Sequence, residues 1–158
     1  MILKSMTLKS LSLCLLLLSC GRSHSQDSQV AAFPKGPGTW YDLCLKSTAG
    51  GPGPDVARTM TAMRRAAELD GDSPSRKCED VAQALSKMTT IKLSRLALTD
   101  ASPIALVKNL KIVLIAENNF KTIAPLTALP NIIGVNVDGN RFPLTCPFRD
   151  KNICTGIE

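Results

Sequence analysis

Apolar and Asn positions within residues 110–131 follow a spacing that fits neither a helix nor a plain strand. Successive steps of 3, 2, 3, 2, 3, 3 and 3 connect Leu110, Val113, Ile115, Asn118, Phe120, Ile123, Leu126 and Leu129. A helix would repeat every three to four positions and a strand every two. The segment is therefore not a single regular element.

The same pattern recurs when the chain is shifted by a constant step, here called the repeat period. Adding 22 to each number gives Ile132, Val135, Val137, Asn140 and Phe142, and subtracting 22 gives Met88, Ile91, Leu93, Leu96, Leu98, Ala101, Ile104 and Val107. Two and a half copies of one unit therefore occupy residues 88–142. Self-similarity at a fixed period of this length is typical of solenoid proteins, in which successive units stack.

The middle unit reads LxxLxLxxNxFxxIxxLxxL and resembles the leucine-rich repeats, in particular the 22-residue class of bacterial internalin-like surface proteins. The resemblance implies an α/β fold: a short right-handed solenoid of about three parallel strands, with an α-helical N-terminal cap and a disulfide-closed C-terminal cap. The first unit departs from the pattern, because Leu96 stands where the family has Asn. Its only neighbour would be the cap helix, so an apolar residue is reasonable there.

Stacking of such units assigns each side chain a direction. Leu93, Ile115 and Val137 should form one buried column, and the inward amides of Asn118 and Asn140 require backbone hydrogen-bond partners. Because strand side chains alternate, the residues between the buried ones should face outward on the concave side of the sheet. These are Thr90, Lys92, Ser94, Arg95, Ile112, Leu114, Ala116, Glu117, Gly134, Asn136 and Asp138.

The resemblance implies that this concave face binds a protein or glycan partner. Ile112 and Leu114 have no core role in this register, and exposed aliphatics flanked by charge are typical of the centre of a binding patch. Two alternatives are that the N-terminal tail covers the pair, or that it is simply the apolar surface of a short solenoid.

Residues 1–19 have the features of an export signal. Lys4 and Lys9 flank a leucine-rich run at residues 11–18, which includes Cys14 and is too short to span a bilayer. The run ends in LLSCG, which resembles the lipobox of bacterial lipoproteins. That resemblance implies cleavage before Cys20 and attachment of lipid to its thiol, with the outer membrane as the default location.

An ordinary secretory signal is the alternative, cut near Gly21 or Ser25, and it would release a soluble secreted or periplasmic protein. Residues 20–38 are rich in Ser, Gln, Gly and Pro and are predicted to be a flexible tether. His24, the only histidine, lies in this tether and is expected to be solvated.

Residues 39–87 are predicted to form the helical N-terminal cap. One helix is expected at residues 39–46, a loop at 49–54, and a second helix from Pro54 to about Asp70. A third helix should start at Pro74, with Cys78, Val81, Ala82 and Leu85 as its buried stripe. Asp70 and Asp72 fit a turn better than a calcium loop, because the twelfth position is Val81 rather than Glu.

Six cysteines are present, of which Cys14 would leave with the signal and Cys20 would carry lipid. The remaining four form an even set in an exported chain, which predicts disulfides. Three pairings are possible, and proximity within the caps favours Cys44 with Cys78 and Cys146 with Cys154, the latter inside a C-terminal cap at residues 143–158. A zinc site is the alternative, without a CxxC pair or a nearby His to support it.

The net charge and the sequence motifs restrict the classes of function that are expected for the chain. The net charge of +6 falls to +4 without residues 1–19, a mild excess that favours solubility over nucleic-acid binding. Arg64, Arg65, Arg76 and Lys77 are expected on a solvated helix face. No phosphate loop or activated nucleophile motif occurs, so the chain is predicted to be a non-catalytic monomer without cofactor or metal.

The leading hypothesis is a lipoprotein that binds a partner in the cell envelope through the concave face. A structural envelope-maintenance lipoprotein and an inhibitor of a secreted hydrolase are the alternatives, since a fold alone does not select among functions.

Overall fold

The structure, a computed structural model, describes residues 34–48, 51–67 and 77–157. All of these residues belong to one compact structural unit, Ala32–Glu158. The predicted export signal, the proposed lipid site at Cys20, His24 and most of the tether lie outside the described residues, as do the predicted turn at Asp70 and Asp72 and the predicted helix start at Pro74.

Within the described residues, three helices precede the sheet: α1 (Trp40–Thr48), α2 (Pro54–Ala67) and α3 (Cys78–Lys87). Thr39 caps α1, because its hydroxyl oxygen accepts the backbone N–H of Asp42 at 3.2 Å. Pro54 begins α2, where its missing N–H costs no intrahelical hydrogen bond. The three helices contribute Trp40, Cys44, Met60, Ala62, Met63, Cys78, Val81, Ala82 and Leu85 to the core.

The third helix begins later than the sequence predicts. Lys77 is extended, with φ −62° and ψ 153°, so α3 starts at Cys78. Glu79 and Asp80 then lie in its first turn, where carboxylates interact favourably with the positive end of the helix dipole.

Four short parallel strands form one sheet, in the order β1 (Thr90–Lys92), β2 (Ile112–Leu114), β3 (Gly134–Asn136) and β4 (Cys154–Thr155). Ile91 pairs with Val113 and Val113 with Val135, so the first three strands follow one another at the predicted repeat period. The predicted α/β class is confirmed.

The sheet has one strand more than the three expected. β4 pairs with β3 through Cys154 and Val135, a step shorter than the repeat period. The strand was missed because it has only two residues and follows none of the repeated apolar positions.

The buried side chains of the middle unit are the ones that the spacing selects. In each of β1, β2 and β3 the central residue is buried and its two neighbours are not. All eight patterned positions of the middle unit are at most 3% exposed: Leu110, Val113, Ile115, Asn118, Phe120, Ile123, Leu126 and Leu129. Each fully buried aliphatic or aromatic side chain stabilises the fold by about 1.5–3 kcal/mol relative to exposure.

After each of β1 and β2 the chain returns through a short 3₁₀ helix, Ile104–Leu106 and Ala124–Ala128 respectively. Pro103 stands directly before the first, and Pro125 lies in the first turn of the second. The fixed φ of proline suits both places, because a backbone N–H there has no partner within the helix.

Asn118 connects two successive units through its buried amide. The Oδ1 atom accepts the backbone N–H groups of Leu96 at 3.1 Å and Leu98 at 3.0 Å. The Nδ2 group lies within hydrogen-bond distance of three carbonyl oxygens, so one of its two hydrogens is shared. These carbonyls belong to Leu93 at 2.8 Å, Ile115 at 2.9 Å and Ala116 at 3.1 Å.

Asn140 repeats much of this arrangement one unit later. Its Nδ2 group donates to the carbonyl oxygens of Ile115 and Val137, and its Oδ1 atom accepts the N–H of Phe120. Each of these three partners lies one repeat period after a partner of Asn118. The turns after β2 and β3 are therefore held by equivalent side-chain bonds.

Two disulfides tie the ends of the described region. Cys44 of α1 is bonded to Cys78 of α3, and Cys146 is bonded to Cys154 of β4. Both pairs are the ones predicted from proximity within the expected caps. The first joins α1 to α3, and the second closes the segment that follows the third strand.

The two disulfides should differ in their contribution to stability. Loop closure predicts that replacing both Cys44 and Cys78 by Ser lowers the free energy of unfolding by about 4 kcal/mol, and the same change at Cys146 and Cys154 by about 2.5 kcal/mol. The difference arises because the sequence separations are 34 and 8 residues. Urea unfolding of the two double variants measures it, and a larger loss from the shorter loop would contradict the expectation.

Candidate functional site

The residues predicted to face outward lie together on one surface of the sheet, here named the outer face. Thr90, Lys92, Arg95, Glu117 and Asp138 are exposed. The other members are half-buried: Ser94, Ile112, Leu114, Ala116, Gly134 and Asn136. The strand register arranges the central members in two rows, one of Thr90, Ile112 and Gly134 and one of Lys92, Leu114 and Asn136.

The outer face is longer than the sequence predicts. Asn136 pairs in register with Thr155 of β4, so the row that starts at Lys92 continues to an exposed threonine. Thr155 had no signal in the sequence, because its strand is outside the repeat.

Ile112 and Leu114 are less exposed than expected for a patch of free aliphatics, since both are half-buried. Their neighbours on β1 and β3 reduce the area that water reaches. Ile112 nevertheless borders an opening, because a Cβ atom added at Gly134 beside it would meet no atom within 4 Å. The pair therefore forms a shallow apolar centre with polar side chains at its rim.

The strand ends at the outer face share an unusual backbone conformation. Arg95, Glu117 and Gly139 are separated by one repeat period each and have φ values of 63°, 55° and 64°. Left-handed φ is costly for residues other than glycine and persists only where the surroundings determine it. A Cβ atom at Gly139 would lie 3.0 Å from Cγ of Glu117, so glycine also relieves crowding there.

Arg95 and Glu117 form a two-pronged ion pair across adjacent units. Nη2 lies 2.7 Å from Oε1, and Nε donates to Oε2 at 2.8 Å. The side-chain hydrogen bond to Arg95 holds the pKa of Glu117 below its ordinary value, and the same bond raises the pKa of Arg95. Both side chains are largely solvated, so the pair positions the rim of the outer face more than it stabilises the fold.

Leu96 is an exposed aliphatic for which the sequence pattern gives no surface signal. It does border the second helix, as its place beside the cap implies, but it is 40% exposed. With Leu93 and Leu98 it lines a groove of about 450 Å³ between α2 and the end of β1. The remaining lining residues are Arg58, Thr61, Ala62, Arg65, Ala66 and Lys92.

The described residues contain neither a metal-binding cluster nor a membrane-spanning helix. Among residues 34–48, 51–67 and 77–157, no group of three or more His, Cys, Asp or Glu side chains is arranged to hold a metal ion. No helix within those ranges is long and apolar enough to cross a bilayer. Comparisons of the chain with protein-family models, with curated proteins and with solved structures give no match.

The Arg95–Glu117 pair should be visible in a pH titration. We expect Arg95→Gln to raise the pKa of Glu117 toward its ordinary value, because the bond that favours the carboxylate is lost. In the unsubstituted protein the pair is present at neutral pH and is lost as pH falls through the lowered pKa. Carboxyl carbon NMR measures both titrations, and an unchanged Glu117 pKa in the variant would contradict the pairing.

Proposed function

We propose that the chain is a leucine-rich-repeat lipoprotein of the bacterial cell envelope, whose outer face binds a protein partner or a glycan without catalysis. The observation that carries the proposal is the pair of side-chain rows across the parallel strands, with Ile112 and Leu114 at their centre. Rows of this kind are what a short solenoid with a curved outer face would present.

The repeat assignment is supported by three features that recur at the repeat period. These are the strand register, the side-chain bonds of Asn118 and Asn140, and the left-handed residue that ends each strand. A unit of this kind cannot bury its own apolar side chains, so stacking of neighbours supplies the core. The helices and the closing disulfides would then act as caps at the two ends.

The chemistry of the outer face suits recognition. Leu114 has Lys92 on one side and Asn136 on the other, so an apolar contact would be surrounded by groups that can form hydrogen bonds. Energetically important residues in protein interfaces are desolvated apolar or aromatic anchors enclosed by a polar rim. The centre of the outer face is formed by the aliphatic side chains of Ile112 and Leu114 and the amide of Asn136, rather than by a cluster of acids and bases.

Attachment through lipid on Cys20 is the second part of the proposal. Disulfides fit an exported protein, and the LLSCG sequence supplies the thiol that lipoprotein maturation uses. Each buried methylene of an acyl chain contributes about 0.8 kcal/mol to membrane binding, and stable anchoring takes more than one chain. The polar tether would let the outer face reach a partner away from the bilayer.

Leu114→Asp should abolish capture of the partner and leave the melting transition in place. The substitution places a charge at the apolar centre, and removal of a central interface anchor costs about 2 kcal/mol or more of binding. A crosslinking pull-down from intact cells, followed by identification of the crosslinked species, measures capture.

Ile133→Asp is the matched control, because Ile133 is a 65% exposed aliphatic outside the predicted set of outer-face residues. It should capture the partner as the unsubstituted chain does. Equal capture by Leu114→Asp would remove the proposed site. Abundant stoichiometric association with the wall that neither substitution weakens would favour a structural role instead.

Cys20→Ser should prevent lipid attachment. Serine lacks the thiolate nucleophile that accepts the lipid. Metabolic labelling with an alkyne fatty acid should therefore mark the unsubstituted protein and not the variant. Cys14→Ser is the control, since Cys14 lies within the signal and its replacement should leave labelling unchanged. Equal labelling of the Cys20 variant, or release of the unsubstituted protein as a soluble species, would contradict the anchor.

A further inference from the structure

Three leucines line the groove between α2 and the end of β1. Leu93 and Leu98 are buried beneath it, while Leu96 remains 40% exposed at its edge. Among the described residues, only Leu45, Leu96 and Ile133 are large apolar side chains with this degree of exposure. Leu96 lines this groove of about 450 Å³.

The backbone holds Leu96 in place. Arg95 and Ala97 on either side have left-handed φ values of 63° and 51°, and the N–H of Leu96 donates to the buried amide of Asn118. Backbone strain of this kind is maintained only by surrounding contacts and is concentrated at functional sites. The position of the exposed leucine is therefore fixed by the same amide that joins the first two units.

The wall formed by α2 is attached to the loop that carries Leu96. The hydroxyl of buried Thr59 donates to the carbonyl of Asp100 at 2.8 Å, and the guanidinium of Arg58 donates to the carbonyl of Ala97 at 3.2 Å. Helix and loop are thus bonded directly at two points. The groove is consequently preformed, which reduces the ordering cost of binding.

The groove has a cationic rim. Its nine described lining residues include Arg58, Arg65 and Lys92 and no carboxylate. Arg65 was expected on a solvated helix face, and it is exposed, but it faces this concavity together with the leucines. An occupant must therefore combine an apolar group with negative charge.

The edge strand of the described sheet borders the groove. The groove is bordered by β1 and α2 but by no residue of β2, and β1 has a strand neighbour on only one side within the described sheet. Of the three residues of β1, Lys92 lines the groove. A volume of about 450 Å³ lies within the range of ligand sites, which is about 300–1,000 Å³.

We propose that this groove is a second binding site, which takes an extended acidic peptide segment of a partner protein. A large aliphatic side chain of that segment would pack on Leu96, and its carboxylates would pair with Arg58, Arg65 and Lys92. A second copy of this chain presenting the same groove is disfavoured, because three cations would face three cations. The site is separate from the outer face, although Lys92 borders both.

A fluorescein-labelled peptide, acetyl-Asp-Glu-Leu-Asp-Glu-amide, tests the proposal by fluorescence anisotropy with protein purified from cells expressing the full chain. We expect saturable binding with a Kd below about 1 mM that weakens as salt is raised. Leu96→Asp and Arg65→Glu should each weaken binding at least tenfold. Both residues are exposed, so both variants should melt as the unsubstituted protein does.

Matched controls separate the site from general charge and hydrophobicity. Ile133→Asp and Arg149→Glu make the same changes at exposed residues outside the groove and should bind the peptide normally. A peptide with Asn and Gln in place of Asp and Glu, and one with Ser in place of Leu, should each bind at least tenfold more weakly. Leu114→Ala removes the outer-face anchor without placing a charge beside Lys92. It should leave peptide binding unchanged, so loss of the outer-face function does not mimic loss of this one.

Three results would overturn the proposal. One is the absence of binding at about 1 mM peptide. Another is equal affinity of the unsubstituted protein and both groove variants. The third is self-association in sedimentation velocity that Leu96→Asp abolishes, since the occupant would then be a second copy of the chain.

Discussion

The buried amide of Asn118 is the interaction on which the first two units depend. It is 2% exposed. It bonds to the carbonyls of Ile115 and Ala116 just before it and to three backbone groups that follow β1 in the preceding unit. An unpaired backbone group in such a place would cost about 1–3 kcal/mol, so a side chain that pairs five of them has a large effect on local stability. The aliphatic column can remain dry only because these polar groups are satisfied.

Both candidate binding surfaces depend on how each repeat unit fixes its strand and the turn that follows it. The strands must end in the same way after every repeat period, so left-handed residues recur at positions 95, 117 and 139, and side chains at the strand ends reach their equivalents in the next unit. On the sheet, the alternation that buries Val113 turns Ile112 and Leu114 to the other side. At the first turn, the amide that fixes the backbone also holds Leu96 at the surface beside α2.

The repeated part of the chain could be predicted because its buried positions recur at a constant spacing in the sequence. The strand register and the buried set of the middle unit follow from the positions around Val113 and Ile115. Features that depend on contacts with segments outside the repeat have no such periodic pattern in the sequence. The strand at Cys154 depends on pairing outside the period, and the groove at Leu96 depends on how α2 packs against a loop that is distant in the sequence. Half-burial of Ile112 and Leu114 likewise depends on neighbouring strands rather than on local alternation.

Amide hydrogen exchange at Leu96 and Leu98 gives the most direct measurement of the inter-unit bonds. Both N–H groups lie in a turn outside the strands and donate to Oδ1 of Asn118. We predict that they exchange as slowly as the strand-end amides of Leu93 and Ile115, although the side chain of Leu96 is 40% exposed. Exchange at the rate of an unstructured peptide, while the Leu93 and Ile115 amides stay protected, would show that the Asn118 amide does not join the units.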